Sequence, residues 1–248
     1  VYKTHPAIGI ARVANSPDEF FVAPGRLGHP PTPQGGFKDA QCRVKRQAAR
    51  FRIFAHHDDG TATEITQAEA DINWTVELAN TKASNPGRGN SEPAAKLQIK
   101  PGPRTLSGPN QTKKFDTGTI AFDNAPVTTV PLGEIRSDPQ NHLLVLGGAG
   151  TSASPAGTAL DGFFWASDDW YDDVADGPVT ATITLRADGS TPPVTGAWVL
   201  VAPPKFAPDQ DSVITLYDRI RQALVAGGLL PQPTTTSYTD DIYPILQR

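Results

Sequence analysis

Five carboxylates and two large aromatic side chains fall within nine residues: Asp168, Asp169, Trp170, Tyr171, Asp172, Asp173, Val174, Ala175 and Asp176. Carboxylates this dense repel one another unless a cation, backbone donors or water holds them. A core strand does not tolerate them, and a plain surface loop does not carry a Trp-Tyr pair. Three readings stand. The carboxylates can attract and orient a cationic amine. They can hold a hard cation such as Ca²⁺ through oxygen ligands, with Asp168, Asp169, Asp172 and Asp173 as donors. Or the stretch is a structural loop whose Asp side chains cap turns through backbone hydrogen bonds. The glycine and the glutamate that a helix–loop–helix calcium site needs at fixed positions are missing.

The other reactive side chains give weaker patterns. His56 and His57 are adjacent at a predicted strand end and would point to opposite faces, which argues against a shared metal. His5, before Pro6, fits a turn cap or a carboxylate pair, and His142 fits a structural role at a strand start. The basic run Arg43, Lys45, Arg46, Arg50, Arg52 fits an anion site, a carboxylate-rich partner, or a solvated or interfacial strand face. Gly147-Gly148-Ala149-Gly150 follows a strand but lacks the G-x-G-x-x-G spacing, the helix and the acidic partner of a nucleotide loop. It reads as a tight turn with close backbone packing. No Ser-His-Asp, Cys-His or zinc-ligand arrangement emerges.

The elements around these residues read mostly as strands. Residues 8–13 and 19–23 form short strands, and residues 25–36 a Pro/Gly-rich loop. Residues 50–55 alternate polar and apolar, Asp58-Asp59-Gly60 turns, and residues 61–66 return, a hairpin pattern. Residues 72–78 alternate again. Residues 84–94 carry few hydrophobes and form the expected mobile loop. Further short strands are expected at 97–99, 117–122, 127–132 and 142–146. Residues 179–185 give the clearest strand, turned by residues 187–190, with 197–201 returning until Pro203-Pro204 ends it. Ser212 fits the N-cap of an amphipathic helix over 213–225, with apolar positions 213, 216, 217, 220 and 224 and Gly227-Gly228 closing it. Residues 239–246 form a last short helix. The fold class is mainly β, a sandwich-like set of antiparallel strands with long loops and C-terminal α-helices. The domains are residues 1–208, β-rich with one or two sub-sheets, and residues 209–248, a helical segment packing on a partner chain.

Composition narrows the function classes. The 248 residues allow one large or two small domains. The hydrophobic share of 38% is low for a self-sufficient globule and fits a chain that leans on a partner. Twenty-two glycines and 24 prolines favour turns and short strands. A net charge of −4 gives no case for nucleic acid. No apolar run approaches the roughly 20 residues of a membrane span, so a soluble protein is expected. One cysteine, Cys42, rules out an internal disulfide framework. The Val1 start, the absence of methionine and of a signal peptide, and the Gln247-Arg248 end suggest processing or trimming.

Several segments, taken in order with the acidic stretch, resemble one family: HPAIGIARVANSP at 5–17, EFF at 19–21, FKD at 37–39, KRQAARFR at 45–52, WTVELAN at 74–80, LLVLGGAG at 143–150, VAPPKFAP at 201–208 and DDIYPIL at 240–246. The chain resembles the N-terminal part of the lysine 6-oxidase/glycine oxidase family nearly end to end. The resemblance implies oxidative deamination of an amino acid by O₂, giving H₂O₂ and ammonia. It implies a cysteine tryptophylquinone, built from the protein's own Cys and Trp, whose carbonyl captures the substrate amine. In the family those two residues lie beyond the segment resembling 240–246, and Cys42 does not match the cofactor cysteine.

No residue of this chain is therefore assigned as catalytic or cofactor-binding. The chain is expected to be a non-quinone subunit or processed N-terminal half. Its implied partners are a larger quinone-bearing subunit, an amino-acid substrate and a flavoprotein during maturation. Tyr171 is the foremost substrate-channel residue, with Trp170, Asp172 and Asp173 beside it; Trp170 and Tyr171 serve equally as packing anchors. Family habit inclines the location to extracellular or periplasmic. The rival readings are a non-catalytic β-sandwich binding or assembly module whose acidic loop holds a cation, and a hydrolase or lectin-like sandwich.

Overall fold

Alternation of apolar and polar residues builds the sheet. In the computed structural model, Phe51, Ile53 and Ala55 point inward from one strand, Ile72, Trp74 and Val76 from a second, Val179, Ala181 and Ile183 from a third. Full burial of each large side chain among them stabilises by roughly 1.5–3 kcal/mol before entropy is counted. The structure describes residues 1–25, 29–84, 92–123, 125–160, 169–205 and 214–246. The chain divides into two compact units, Val1–Gly25 with Pro31–Pro204, and Arg26–Pro30 with Lys205–Arg248.

The strands are β1 (Tyr2–His5), β2 (Ile8–Arg12), β3 (Phe20–Val22), β4 (Arg46–His56), β5 (Ala62–Ile65), β6 (Ala70–Val76), β7 (Arg104–Ser107), β8 (Thr112–Lys114), β9 (Thr119–Ile120), β10 (Thr128–Thr129), β11 (Glu134–Ser137), β12 (Leu143–Leu146), β13 (Ser152–Ala153), β14 (Tyr171–Asp172), β15 (Ala175–Leu185), β16 (Val194–Thr195) and β17 (Ala197–Ala202). Thirteen of them share one sheet, whose main path is β7-β6-β15-β17-β2-β4-β12-β11-β8. The path's two ends are consecutive strands, so the sheet nearly closes on itself. Side chains bridge the seam. Arg104 Nε donates to the Lys114 carbonyl at 2.7 Å. Gln111 accepts from the Ser107 amide at 3.0 Å and donates to the Ser107 carbonyl at 2.9 Å.

The fold is mainly β, as the sequence predicts. It is less uniformly antiparallel than expected, because β1–β16, β2–β17 and β3–β4 run parallel. Parallel neighbours need long connections, and β2 meets β17 across nearly the whole chain. The predicted β4–β5 hairpin forms, with Asp59 accepting from the Thr61 amide at 2.9 Å and Gly60 at φ +83°. Residues 97–99 make no strand. Residues Ala94–Lys96 form a 3₁₀ turn and Ile99 only a single bridge to Asn80. Gly177 is required where β15 passes residue 77: a methyl there would lie 1.7 Å from the Glu77 carbonyl oxygen. The expected mobile loop at 84–94 lies largely outside the described residues.

In the second unit, helix α1 spans Leu216–Ala226 and α2 spans Tyr243–Leu246. The N-cap is Thr215 rather than Ser212, which lies outside the described residues. Thr215 Oγ1 accepts from the Asp218 amide at 3.3 Å, and the Asp218 carboxylate accepts from the Thr215 amide at 2.7 Å. This reciprocal capping box satisfies two otherwise orphaned donors, so the helix starts there. At the other end Gly228, at φ +71°, lets the Gly228 and Leu229 amides bond back to Val225 and Leu224. Among the described residues, no helix is long and apolar enough to cross a membrane.

Candidate functional site

The acidic stretch becomes the entry to the longest strands of the sheet. Tyr171 and Asp172 form β14, paired antiparallel with Ser152 and Ala153 of β13. Asp173 and Val174 then lead into β15. The neighbouring elements engage most of the carboxylates. Asp169 accepts from the Ser154 and Thr158 hydroxyls. Asp172 Oδ1 accepts from Asn80 Nδ2 at 2.8 Å, and its Oδ2 lies 2.5 Å from Lys82 Nζ. Asp176 accepts from the Trp198 indole N–H at 3.0 Å. Asp168 lies outside the described residues.

Asp173 differs. It is 2% exposed, and Oδ2 accepts from the Gly150 amide at 2.9 Å. Oδ1 is buried without a hydrogen-bond partner among the described residues. Burial raises the pKa of the Asp173 carboxyl, the charge of Asp172 adds to this, and the Thr151 and Gly150 amides oppose it. The glycine run makes the space: a methyl on Gly148 would lie 2.4 Å from Asp173 Oδ2. The predicted tight packing at Gly147–Gly150 is therefore present, and its partner is the acidic stretch. Burial, and then the charge of Asp173, also raises the pKa of the Tyr171 phenol, keeping it protonated. Trp170 is nearly buried, donates to Ser152 Oγ at 2.7 Å, and has Lys82 Nζ 5.6 Å from its ring centre.

This arrangement is a partly buried polar cluster in which Lys82 pairs with Asp172 and neutral donors engage Asp169, Asp173 and Asp176. Asp173 Oδ1 offers an acceptor that has no partner among the described residues. The pairing of Asn80 and Lys82 with Asp172 escaped sequence reasoning. Lys82 lies 90 residues before its carboxylate, and no local pattern marks such a pairing. Among the described residues, no group of three His, Cys, Asp or Glu side chains is placed to hold a metal.

The histidines take structural positions. His5 packs edge-on against Phe54 with ring centres 5.8 Å apart, rather than pairing with a carboxylate. His57 Nε2 lies 3.2 Å from Thr63 Oγ1. His142 sits 2.7 Å from Asp138 and 2.8 Å from Glu64.

A cysteine tryptophylquinone does not fit the described residues. Cys42 is exposed, at φ +61° in a loop held by Asp39. The indole N–H groups of Trp74, Trp170 and Trp198 are committed to Asn141, Ser152 and Asp176. Trp165 lies outside the described residues.

The sheet defines a nearly closed, mostly antiparallel β domain with an acidic entry to one of its long strands. Residues 5–201 match the profile described as L-lysine epsilon oxidase N-terminal, and the chain belongs to that family. It is 29% identical to the L-lysine 6-oxidase of Marinomonas mediterranea, an alignment covering 98% of this chain and 41% of that protein. Two crystal structures of the L-Lys epsilon-oxidase from the same organism superimpose on all of this chain at 28% identity. The Schiff base intermediate with L-Lys gives a TM-score of 0.77 and the second structure 0.76. The chain spans 44% of those solved chains.

Proposed function

We propose that these 248 residues are the non-quinone portion of an amino-acid oxidase that deaminates an amino acid with O₂, yielding H₂O₂ and ammonia. The quinone is carried by protein outside these residues, in a separate chain or a further stretch of the same one. The carrying observation is family membership over residues 5–201 combined with coverage of 41% of the relative's length. The poor fit of Cys42 to the cofactor supports it. The C-terminal segment, residues 209–248, packs on the quinone-bearing part, because α1 buries none of its side chains within its own unit.

Tyr171, with Trp170, Asp172 and Asp173, lines the approach of the substrate amine. The support is the Asp173 Oδ1 left without a hydrogen-bond partner among the described residues and the electrostatic influence of Asp173 on the Tyr171 phenol. This chain's role is to bind, orient and exclude water. Tyr171→Phe should lower kcat/KM for the amino acid several-fold while leaving quinone staining intact; unchanged kinetics would remove Tyr171 from the channel.

The direct test is native mass spectrometry of the purified protein, followed by denaturing separation with redox-cycling quinone staining. Stained protein extending beyond these residues is the expected result. A monodisperse folded chain with no staining would favour a stand-alone binding module.

A further inference from the structure

Four of the five basic side chains from Arg43 to Arg52 find carboxylates inside the β unit. Arg43 lies 2.8 Å from Asp39, Lys45 2.9 Å from Glu19, Arg46 3.4 Å from Glu134 and Arg52 3.1 Å from Glu64. Arg50 finds none among the described residues. Its Nε is buried without a hydrogen-bond partner. A guanidinium cannot relieve this by losing its proton.

The register explains the excess. Ala49, Phe51 and Ile53 face the core, so Arg50 stands on the outer face of β4. It lies beside Leu144, which lies beside Arg136. Arg136 and Arg46 share one carboxylate, Glu134. Arg52 shares Glu64 with His142. Four guanidinium groups thus face two glutamates, and Arg50 is left over.

A gap opens at the same place. β3 leaves β4 after Ala48, and β1 joins it only at Arg52. Gly25 lies beside that gap. A methyl on Gly25 would lie 3.3 Å from Arg52 Nη2 and 4.0 Å from Arg50 Nη2. Two guanidinium edges therefore converge on one spot that no acceptor fills among the described residues. Like charges so placed repel unless an anion sits between them. A planar carboxylate matches such forks through paired N–H···O bonds.

We propose that Arg50 and Arg52 form a docking socket for an Asp or Glu side chain of the quinone-bearing protein. This rests on the functional reading above. A tethered carboxylate fits better than a free anion because the socket adjoins apolar surface that a free anion would leave wet. Leu144 is half-buried beside Arg50, and Val22, 37% exposed, stands on the same outer face.

The test is zero-length carbodiimide cross-linking of the complete oxidase carrying Arg50→Lys, read by peptide mass spectrometry. The expected product joins the introduced amine to an Asp or Glu outside residues 1–248. Cross-links confined to residues 1–248, cross-links to a second copy of this chain, or none at all would overturn the socket. In parallel, R50Q should weaken association of the two parts, or lower the melting point of their joint fold, with a shallower salt dependence than the wild type. Identical salt dependence would also overturn it. If the purified protein holds no quinone-staining part, the functional reading fails and takes the socket with it. A staining part that is present but never cross-linked sinks the socket alone.

Discussion

The two units treat their apolar side chains in opposite ways. In the β unit, Phe51, Trp74, Leu78, Leu106, Phe115 and Ile135 are essentially sealed from water, and among the described residues only four large hydrophobic side chains are exposed there. Among the described residues of the C-terminal unit, eleven are exposed, including Tyr217 at 70% and Leu229 at 75%, and none of its apolar side chains is buried. Yet α1 is locally well specified, with a capping box at one end and a glycine stop at the other. Local signals define its secondary structure, whereas stable packing needs an apolar surface to bury against. That contrast is what motivates the proposed packing of the C-terminal segment on the quinone-bearing protein.

The comparison breaks most visibly at the core. Trp74→Ala removes a fully buried side chain and its hydrogen bond to the Asn141 carbonyl, and should cost about 3–5 kcal/mol in chemical denaturation. An effect below about 1 kcal/mol would show that the sheet's core does not carry the fold.

The next effect is one of pH. Asp173 has its pKa raised by burial, so it stabilises the fold when protonated. That contribution is complete below the ordinary Asp value and is lost as pH rises through the raised one. Wild-type stability should therefore decline across that window more steeply than that of Asp173→Asn. Parallel pH profiles in thermal unfolding would contradict the buried-carboxyl description.

Smaller effects test the second unit. Thr215→Ala should cost about 1 kcal/mol of local helix stability, seen as faster amide exchange at the start of α1. The unfolding of the β unit should not change. Ile220→Asp should shift β-unit unfolding by no more than about 0.5 kcal/mol while weakening association with the quinone-bearing part at least tenfold. A large shift in β-unit unfolding would show that the two units depend on each other.

Much of the fold was legible because its signals are local. Alternation at residues 50–55, 72–78 and 179–185 marks β4, β6 and β15, and Asp-Gly at 59–60 marks a hairpin. The N-cap was misplaced by three residues because Ser212 and Thr215 are both competent caps, and only Thr215 has a carboxylate three positions on. Parallel pairing of β2 with β17 was not legible, because nothing near Ile8 announces a neighbour at Trp198. In the candidate site, the density of carboxylates was plain. Their engagement by Lys82, Asn80 and the Gly150 amide was not.

The sequence by itself determined the strand-rich class, which follows from residue type and short-range spacing, and its ordered segments carried the resemblance to the family. Only the tertiary structure decided which charges are spent and which are left over. Asp172 is matched, while Asp173 keeps an oxygen without a partner among the described residues. Among the described residues, Arg43, Lys45, Arg46 and Arg52 are matched by carboxylates and Arg50 is not. The physical reason is that electrostatic partners are chosen by distance in space, and sheet register brings together residues that the chain keeps far apart.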